Sequence, residues 1–222
     1  NLVSTTDTRG TTSYAFDDSG VMTTMTYLLY GVPTKLAVAT DDRGRRTDTW
    51  LAVNADRTVW KAHTHTDYDR TGRVTRVLAE QGSGTASNTD VVDLTYCYSA
   101  GSAAPTCPST TTADRSKIQW VKNNLTGAVT AYTYDKAGRL TKAAITGGTT
   151  PATYTYTYDA RGNRLTASGG TGASQNFTAN AANQISSANY SYDGTGNLTQ
   201  DPNGAYAYNA AQQMTSVTKG GT

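Results

Sequence analysis

Two histidines, His63 and His65, are the residues of this chain whose type and spacing most directly suggest metal chemistry. They stand two positions apart, so on a β-strand both imidazoles would point to the same face. Two imidazoles can ligate zinc, but a zinc site needs at least a third protein ligand, and none is evident in the flanking sequence. We therefore predict an ordinary strand surface here, with no metal ligands and no cofactor.

The aspartates are the second group that could carry chemistry. Paired carboxylates hydrolyse glycosidic bonds, and the doublets Asp17-Asp18 and Asp41-Asp42 could instead bind calcium together with turn carbonyls. Nearly all the aspartates, however, stand at the first position of a turn that ends in glycine. There an aspartate accepts hydrogen bonds from backbone amides two residues on. Turn capping explains their type, spacing and recurrence together, so we predict no catalytic residue and no enzymatic activity.

These turns belong to a sequence motif that the chain repeats: Tyr-x-Tyr-Asp-x-x-Gly-Arg-Leu-Thr. The best copy spans residues 132–141, the second 156–166 and the third 190–199, and weaker copies extend the series in both directions. The residues predicted to define the repeat are Tyr132, Tyr134, Asp135, Gly138, Arg139, Leu140, Tyr156, Tyr158, Asp159, Gly162, Tyr190, Tyr192, Asp193 and Gly196. Such a repeat is the signature of an array of equivalent structural units.

Each copy has the sequence pattern of a β-hairpin. Residues before and after the turn alternate as strands require, and the turn glycine closes a type I turn followed by a G1 bulge. Pairing of Asp135 with Arg139 places Tyr134 opposite Leu140 on one face, with threonines on the other. The sequence therefore predicts an all-β fold, an array of antiparallel hairpins. The tyrosine rows are predicted to form cross-strand ladders, and a stacking platform for sugars stays open as the alternative.

The composition agrees with this architecture and excludes several classes of function. Only 36% of the 222 residues are hydrophobic, whereas 15 are tyrosine, and disordered segments are poor in aromatic residues. The formal net charge of +2 falls short of the strongly basic domain of a nucleic-acid binder. No apolar run reaches the ~18 residues of a membrane span. We predict one continuous β domain over residues 1–222, a piece of a longer protein.

Residues 80–116 match the repeat least and are predicted to be a loop-rich insertion. They contain both cysteines of the chain, Cys97 and Cys107. A disulfide between them is the favoured hypothesis, and such a bond is typical of secreted proteins. Two free thiols on a surface loop are the alternative.

The repeated motifs resemble the YD repeats of the RHS-repeat family, which also includes the extracellular repeat region of teneurins. The resemblance is clear over residues 120–217, good at 7–20 and 67–77, and weak between. In this family such repeats are implied to form a long, curved β-sheet that spirals into a hollow shell. The family's self-cleaving core module has no counterpart in this sequence, so its catalytic aspartates correspond to no residue here.

The resemblance implies two functions. In bacterial polymorphic toxins the shell encloses a C-terminal toxin domain. The first expectation is therefore a structural segment of such a shell, whose partners are the enclosed toxin and the remaining repeats of the same polypeptide. In teneurins the repeats form part of an adhesion molecule, so the alternative is an adhesion module that binds a cell-surface glycan or a protein receptor. Both expectations place the protein outside the cell, either secreted or at the cell surface.

Overall fold

The computed structural model describes residues 1–82, 88–99, 106–107 and 116–220, and no helix occurs within these ranges. The strands, in chain order, are β1 (Ser4–Asp7), β2 (Gly10–Phe16), β3 (Met22–Leu29), β4 (Val32–Thr40), β5 (Arg46–Leu51), β6 (Ala62–Tyr68), β7 (Val74–Gln81), β8 (Thr89–Cys97), β9 (Trp120–Asn123), β10 (Val129–Tyr134), β11 (Leu140–Thr146), β12 (Ala152–Tyr158), β13 (Arg164–Gly169), β14 (Gln175–Asn176), β15 (Ser191–Tyr192), β16 (Leu198–Asp201), β17 (Gly204–Tyr208) and β18 (Met214–Lys219). The residues described include no apolar helix of the length that a membrane crossing requires.

Within each sheet the strands are adjacent in sequence order. Strands β1 to β14 belong to one sheet and β15 to β18 to another, with no crossover in either. A succession of hairpins produces this order, because each strand pairs with the next strand along the chain. The predicted all-β array of antiparallel hairpins is therefore confirmed.

The repeat turns close hairpins that carry a bulge. The pairing register shifts directly before the turn at Tyr68, Tyr158 and Tyr192. The turn glycine has a φ of +97° at Gly162 and +92° at Gly196, a backbone conformation that glycine adopts without steric cost. These copies thus have the bulged hairpins that the sequence predicts.

The chain divides into two compact units. One consists of Asn1–Tyr132 and Ile145–Pro151, and the other of Thr133–Ala144 and Ala152–Thr222. The prediction of a single domain over residues 1–222 stays a prediction.

The first unit has a small aromatic core. Ala37, Val53 and Trp60 are buried against one another, and the half-buried Trp50 packs against them. Ala37 and Trp50 lie opposite each other on β4 and β5. The core therefore forms where the β4–β5 hairpin meets the segment that leads into β6.

The predicted insertion at 80–116 contains a strand and a disulfide. Strand β8 pairs with β7 on one side and β9 on the other. Cys97, at the end of β8, is fully buried and is joined to Cys107 by a disulfide with a Cα–Cα distance of 5.5 Å. Residues 83–87, 100–105 and 108–115 lie outside the described residues, so the loop-rich character of the insertion stays a prediction.

Strand β12 in the second unit shows the alternation of the repeat most clearly. Tyr154, Tyr156 and Tyr158 are half-buried, whereas the threonines between them are exposed. On the exposed face the hydroxyl oxygens of Thr157 and Thr166 lie 2.6 Å apart and share a hydrogen bond. Because successive side chains point to opposite faces, the repeat gives the sheet one aromatic face and one hydroxyl-bearing face.

Candidate functional site

The repeat turn is a hydrogen-bond network centred on its first residue. In the best copy the Asp135 carboxylate accepts from the backbone amide of Arg139 at 2.9 Å and from its Nε at 2.7 Å. The amide of Gly138 donates to the Asp135 carbonyl at 2.9 Å. Asp159 and Asp193 accept the same pair of hydrogen bonds, with asparagine in the place of arginine. The aspartates of all three copies therefore cap turns.

The fifth residue of the turn connects one hairpin to the next. The Arg139 guanidinium lies over the Tyr158 ring, 4.8 Å from its centroid, and its Nη1 donates to the Asp159 carbonyl at 2.8 Å. The Tyr158 hydroxyl donates to the Leu140 carbonyl, also at 2.8 Å. We call this set of contacts the inter-hairpin contact. It holds the second tyrosine of one repeat against the turn of the repeat before it.

Two further inter-hairpin contacts occur in the first unit. Arg45 lies over Tyr68 at 4.5 Å, and Arg73 lies over Tyr98 at 4.4 Å. In both, the tyrosine hydroxyl donates to the carbonyl of the residue after the arginine, at 2.9 and 3.0 Å. The same three groups thus connect neighbouring hairpins at separate places along the chain.

We expect Arg139→Lys to lower the free energy of unfolding by about 1–2 kcal/mol. Lysine keeps the charge but cannot donate to Asp135 and to the Asp159 carbonyl while it lies flat over Tyr158. The measurement is urea unfolding followed by circular dichroism. The control is Arg9→Lys, because Arg9 also pairs with an aspartate but its side chain is 87% exposed. Equal losses in the two variants would contradict the inter-hairpin contact as a source of stability.

The tyrosines of the three copies are all half-buried: Tyr132, Tyr134, Tyr156, Tyr158, Tyr190 and Tyr192. Burial raises the pKa of Tyr132. The Tyr190 ring packs edge-on against Phe177 with 6.2 Å between centroids, and the Tyr192 hydroxyl accepts from the Ile185 amide at 3.1 Å. These partners are protein groups, in keeping with tyrosine ladders. Sugar stacking stays an untested hypothesis.

The turn aspartates are strong hydrogen-bond acceptors, and their pKa values reflect it. Hydrogen bonds from Asn197, first from its side chain, lower the pKa of Asp193 to about 2. At Asp69 burial raises the pKa, but hydrogen bonds from Thr71 and Arg73 outweigh it and lower the pKa to about 2. A carboxyl that stays ionised to such a low pH cannot act as a general acid near neutral pH. This supports turn capping over catalysis.

These pKa shifts predict that the fold loses stability in acid. A carboxyl whose pKa is lowered by folding stabilises the fold above its unfolded value near 3.9, and this contribution is lost as pH falls towards the folded value. For Asp69, with its folded pKa of about 2, we expect a loss of about 1 kcal/mol between pH 5 and 2, after allowance for solvent screening.

The variant Asp69→Asn isolates this effect. Asn180 and Asn209 accept the same backbone hydrogen bonds at the first position of their turns, so asparagine keeps these backbone bonds while it removes the charge and the hydrogen bond from Arg73. We expect the urea midpoint of Asp69→Asn to fall less than that of the parent protein between pH 5 and 2. Parallel pH profiles would contradict the assignment.

The two histidines lie on β6 between strands that carry carboxylates. Asp48 of β5 is directly opposite His65, and Glu80 of β7 is directly opposite His63. Trp50 is opposite His63 on the other side. Because side chains alternate along a strand, all five side chains share one face of the sheet.

Each ring nitrogen of the two imidazoles lies close to a carboxylate oxygen. His63 Nε2 is 2.9 Å from Asp48 Oδ1, and His63 Nδ1 is 2.8 Å from Glu80 Oε2. His65 Nδ1 is 2.7 Å from the same Asp48 oxygen, and His65 Nε2 is 3.1 Å from Asp67 Oδ1. The hydrogen bond to Asp48 raises the pKa of His65.

Two tryptophans border this cluster. The Trp50 ring stacks on His63 with 5.1 Å between centroids and an interplanar angle of 9°, and the Trp60 ring lies at 5.3 Å in a tilted orientation. The side chains of His63 and Asp48 are 14% and 16% exposed, and that of His65 is 32% exposed. The cluster is therefore shielded at His63 and more accessible at His65.

Asp48 and Glu80 are the residues that sequence reasoning missed. Both come from strands next to β6, each at least 15 residues from the histidine it contacts. Asp67 follows the histidines on their own strand, whereas Asp48 approaches both imidazoles from the neighbouring strand. The sequence does show Asp48 and Trp50 two positions apart, which is the spacing of residues on one face of a strand. Only the strand register shows that this face lies beside the histidines.

Comparison with known proteins identifies the repeat. Residues 113–222 match the family described as Teneurin YD-shell. No curated protein matches the chain.

Solved structures of toxin complexes share the fold. The crystal structure of TcdB2-TccC3-TEV is 17% identical, with a TM-score of 0.70 over 98% of this chain. The Tc holotoxin pore of Photorhabdus luminescens is also 17% identical, with a TM-score of 0.56 over 94%, and TcdB2-TccC3-Cdc42 is 18% identical, with a TM-score of 0.54 over 94%. The chain spans 12% of the length of each of these chains. At such identities the likeness concerns the fold alone.

Proposed function

We propose that this chain, which belongs to the RHS/YD-repeat family, forms part of the wall of an extracellular shell that encloses a toxin polypeptide. The observation that carries the proposal is the recurrence of the inter-hairpin contact along the 14-stranded sheet, whose strand order is the chain order. A wall needs neighbouring strands to stay paired without gaps, and these contacts add side-chain connections to the backbone ladder. The match to the Teneurin YD-shell family supports the same role.

The wall acts as a barrier rather than as a catalyst. Its aspartates cap turns, and the lowered pKa values of Asp135, Asp159 and Asp193 suit hydrogen-bond acceptance rather than proton transfer. We propose that the partners of the chain are the enclosed C-terminal toxin domain and the other repeats of the same polypeptide. A hydrolytic activity that a single aspartate substitution abolished would overturn this part of the proposal.

The disulfide of this chain is consistent with export from the cell. The Cys97–Cys107 disulfide closes a loop with a sequence separation of 10 residues, and disulfides persist in oxidising compartments. We propose a secreted or cell-surface location and a bacterial polymorphic toxin as the whole protein.

The test is protease protection in the complete product of the gene that encodes this chain. We expect the polypeptide C-terminal to the repeats to resist protease in buffer. It should become sensitive at the urea concentration that unfolds the sheet, as followed by circular dichroism. Digestion of that polypeptide while the sheet remains folded would overturn encapsulation. The matched control is the same C-terminal polypeptide expressed alone, which should be digested without urea.

Receptor binding is the second candidate, and one exposed hairpin tip favours it. At the end of β3 and the start of β4, Leu28, Leu29 and Val32 are exposed, and Tyr30 is 99% exposed. Exposed apolar groups that cluster in this way mark interaction surfaces. Binding to cells that is lost in Tyr30→Ser but kept in Tyr27→Phe would support an adhesion module, and equal binding by both variants would argue against it.

A further inference from the structure

We propose that Asp48, His63 and His65 bind a first-row divalent cation of the zinc class. One ligand atom from each residue lies within 4.8 Å of the other two, and all three side chains are at least partly buried. The three come from the neighbouring strands β5 and β6, so a bound cation would join the two strands. The site is separate from the turns and inter-hairpin contacts that build the wall.

The first argument is the surplus of acceptors around the two rings. A neutral imidazole has one N–H donor and one bare nitrogen, yet both nitrogens of both rings lie 2.7–3.1 Å from carboxylate oxygens. One nitrogen of each neutral ring would therefore point its lone pair at a negative oxygen. A cation between Asp48 and the two nitrogens that face it would turn this repulsion into attraction.

The second argument is that each histidine has an outer carboxylate that can accept from the ring nitrogen facing away from Asp48. When the N–H of His63 is on Nδ1, it donates to Glu80, and Nε2 is the bare nitrogen that faces Asp48. When the N–H of His65 is on Nε2, it donates to Asp67, and Nδ1 is the bare nitrogen that faces the same Asp48 oxygen. Histidines that ligate metals commonly donate their other N–H to a carboxylate in this way, which fixes the ring and raises its basicity. Both histidines of the chain have such a partner.

The third argument concerns size and coordination. Ligands at 2.0–2.2 Å around a tetrahedral zinc ion are separated by about 3.4 Å. The Asp48 oxygen lies 2.9 and 2.7 Å from the two nitrogens, so a shift of about 0.5–0.7 Å would open the space. Two imidazoles and one carboxylate suit zinc and its first-row neighbours, whereas magnesium and calcium prefer oxygen ligands alone. Three protein ligands leave a fourth position for water.

The experiment uses protein freed of any affinity tag and treated with a chelator, because the chain itself has only two histidines. Zinc chloride is titrated by isothermal calorimetry at pH 7.5, and the thermal unfolding midpoint is recorded with and without zinc. Cobalt(II) replaces zinc in a parallel titration that is read by its visible absorption. We expect one zinc per chain, a raised midpoint, because the ligand binds the folded state preferentially, and no response to magnesium.

Three variants assign the site. Asp48→Asn removes the anionic ligand and should weaken zinc binding by at least the ~10–100-fold that loss of an outer partner costs. Glu80→Gln leaves the ligands in place but alters the partner of His63, and should weaken binding ~10–100-fold. Asp56→Asn is the control, since Asp56 accepts from Thr58 in an exposed turn, and should bind zinc as the parent does.

Circular dichroism without metal shows whether each variant folds, and Glu80→Gln keeps the test valid if Asp48→Asn does not. The proposal is overturned if zinc fails to bind the parent protein. It is also overturned if both Asp48→Asn and Glu80→Gln bind zinc like Asp56→Asn, or if magnesium raises the unfolding midpoint as much as zinc does.

Discussion

Replacing Trp60 by alanine should lower the free energy of unfolding by about 3–5 kcal/mol, the usual cost of deleting a large buried aromatic side chain. Trp60 is only 5% exposed and is the largest buried member of the core that it forms with Ala37 and Val53. Much of the chain is half-buried rather than buried, so this core has little other apolar volume to close the resulting cavity. The loss should therefore lie near the upper end of the range.

The measurement is urea unfolding followed by far-ultraviolet circular dichroism, which does not depend on tryptophan fluorescence. Tyr30→Ala is the control, because the side chain is 99% exposed and its loss should change stability by no more than about 0.5 kcal/mol. A Trp60→Ala cost below ~1 kcal/mol would mean that the core of the first unit contributes little to stability. Trp60 also borders His63, so the same variant should loosen the histidine cluster.

The fold could be predicted from the sequence because the signals that specify it lie within short stretches of the chain. An aspartate followed three residues later by glycine specifies a turn, and the alternation of tyrosine and threonine on either side specifies which face each strand buries. Both signals fall within about ten residues. Where the connecting turn is tight, the two strands that it joins pair with each other, and most of the chain-order pairing in the observed sheets follows from that.

The contacts between hairpins were not predictable in the same way. Arg139 and Tyr158 both belong to copies of the repeated motif, but nothing in their spacing indicates that one stacks on the other. Tyr98 takes the same role beside Arg73 although Ser99 follows it in place of aspartate. This copy was consequently hidden within the predicted insertion.

The turn of the second copy differs from that of the best copy at its fifth position. In the second copy Asn163, not Arg164, bonds to the turn aspartate as Arg139 does, and Arg164 lies opposite Tyr158. The hydrogen bonds therefore follow the distance from the aspartate rather than the residue type. The candidate metal site escaped prediction for the related reason that Asp48 approaches the histidines only through the β5–β6 register.

Gly169→Ala should have the largest effect of any single-methyl substitution in the second unit, with a loss of about 3–5 kcal/mol. Gly169 ends β13 opposite Tyr154 of β12. Its φ is +117°, and a Cβ built there would lie 1.8 Å from the Thr153 carbonyl oxygen. Alanine would therefore add a backbone clash to an unfavourable backbone conformation, and relief would require β12 and β13 to separate at the end away from their turn.

Gly162→Ala in the turn of the same hairpin separates the two causes. Its φ is +97°, but no atom lies within 4 Å of the added Cβ, so only the conformational cost of about 1–2 kcal/mol applies. Urea unfolding of both variants gives the steric contribution as the difference between them. If Gly169→Ala cost no more than Gly162→Ala, the strand end would be able to move freely. A wall built from such hairpins would then depend on the inter-hairpin contacts more than on the backbone ladder for its closure.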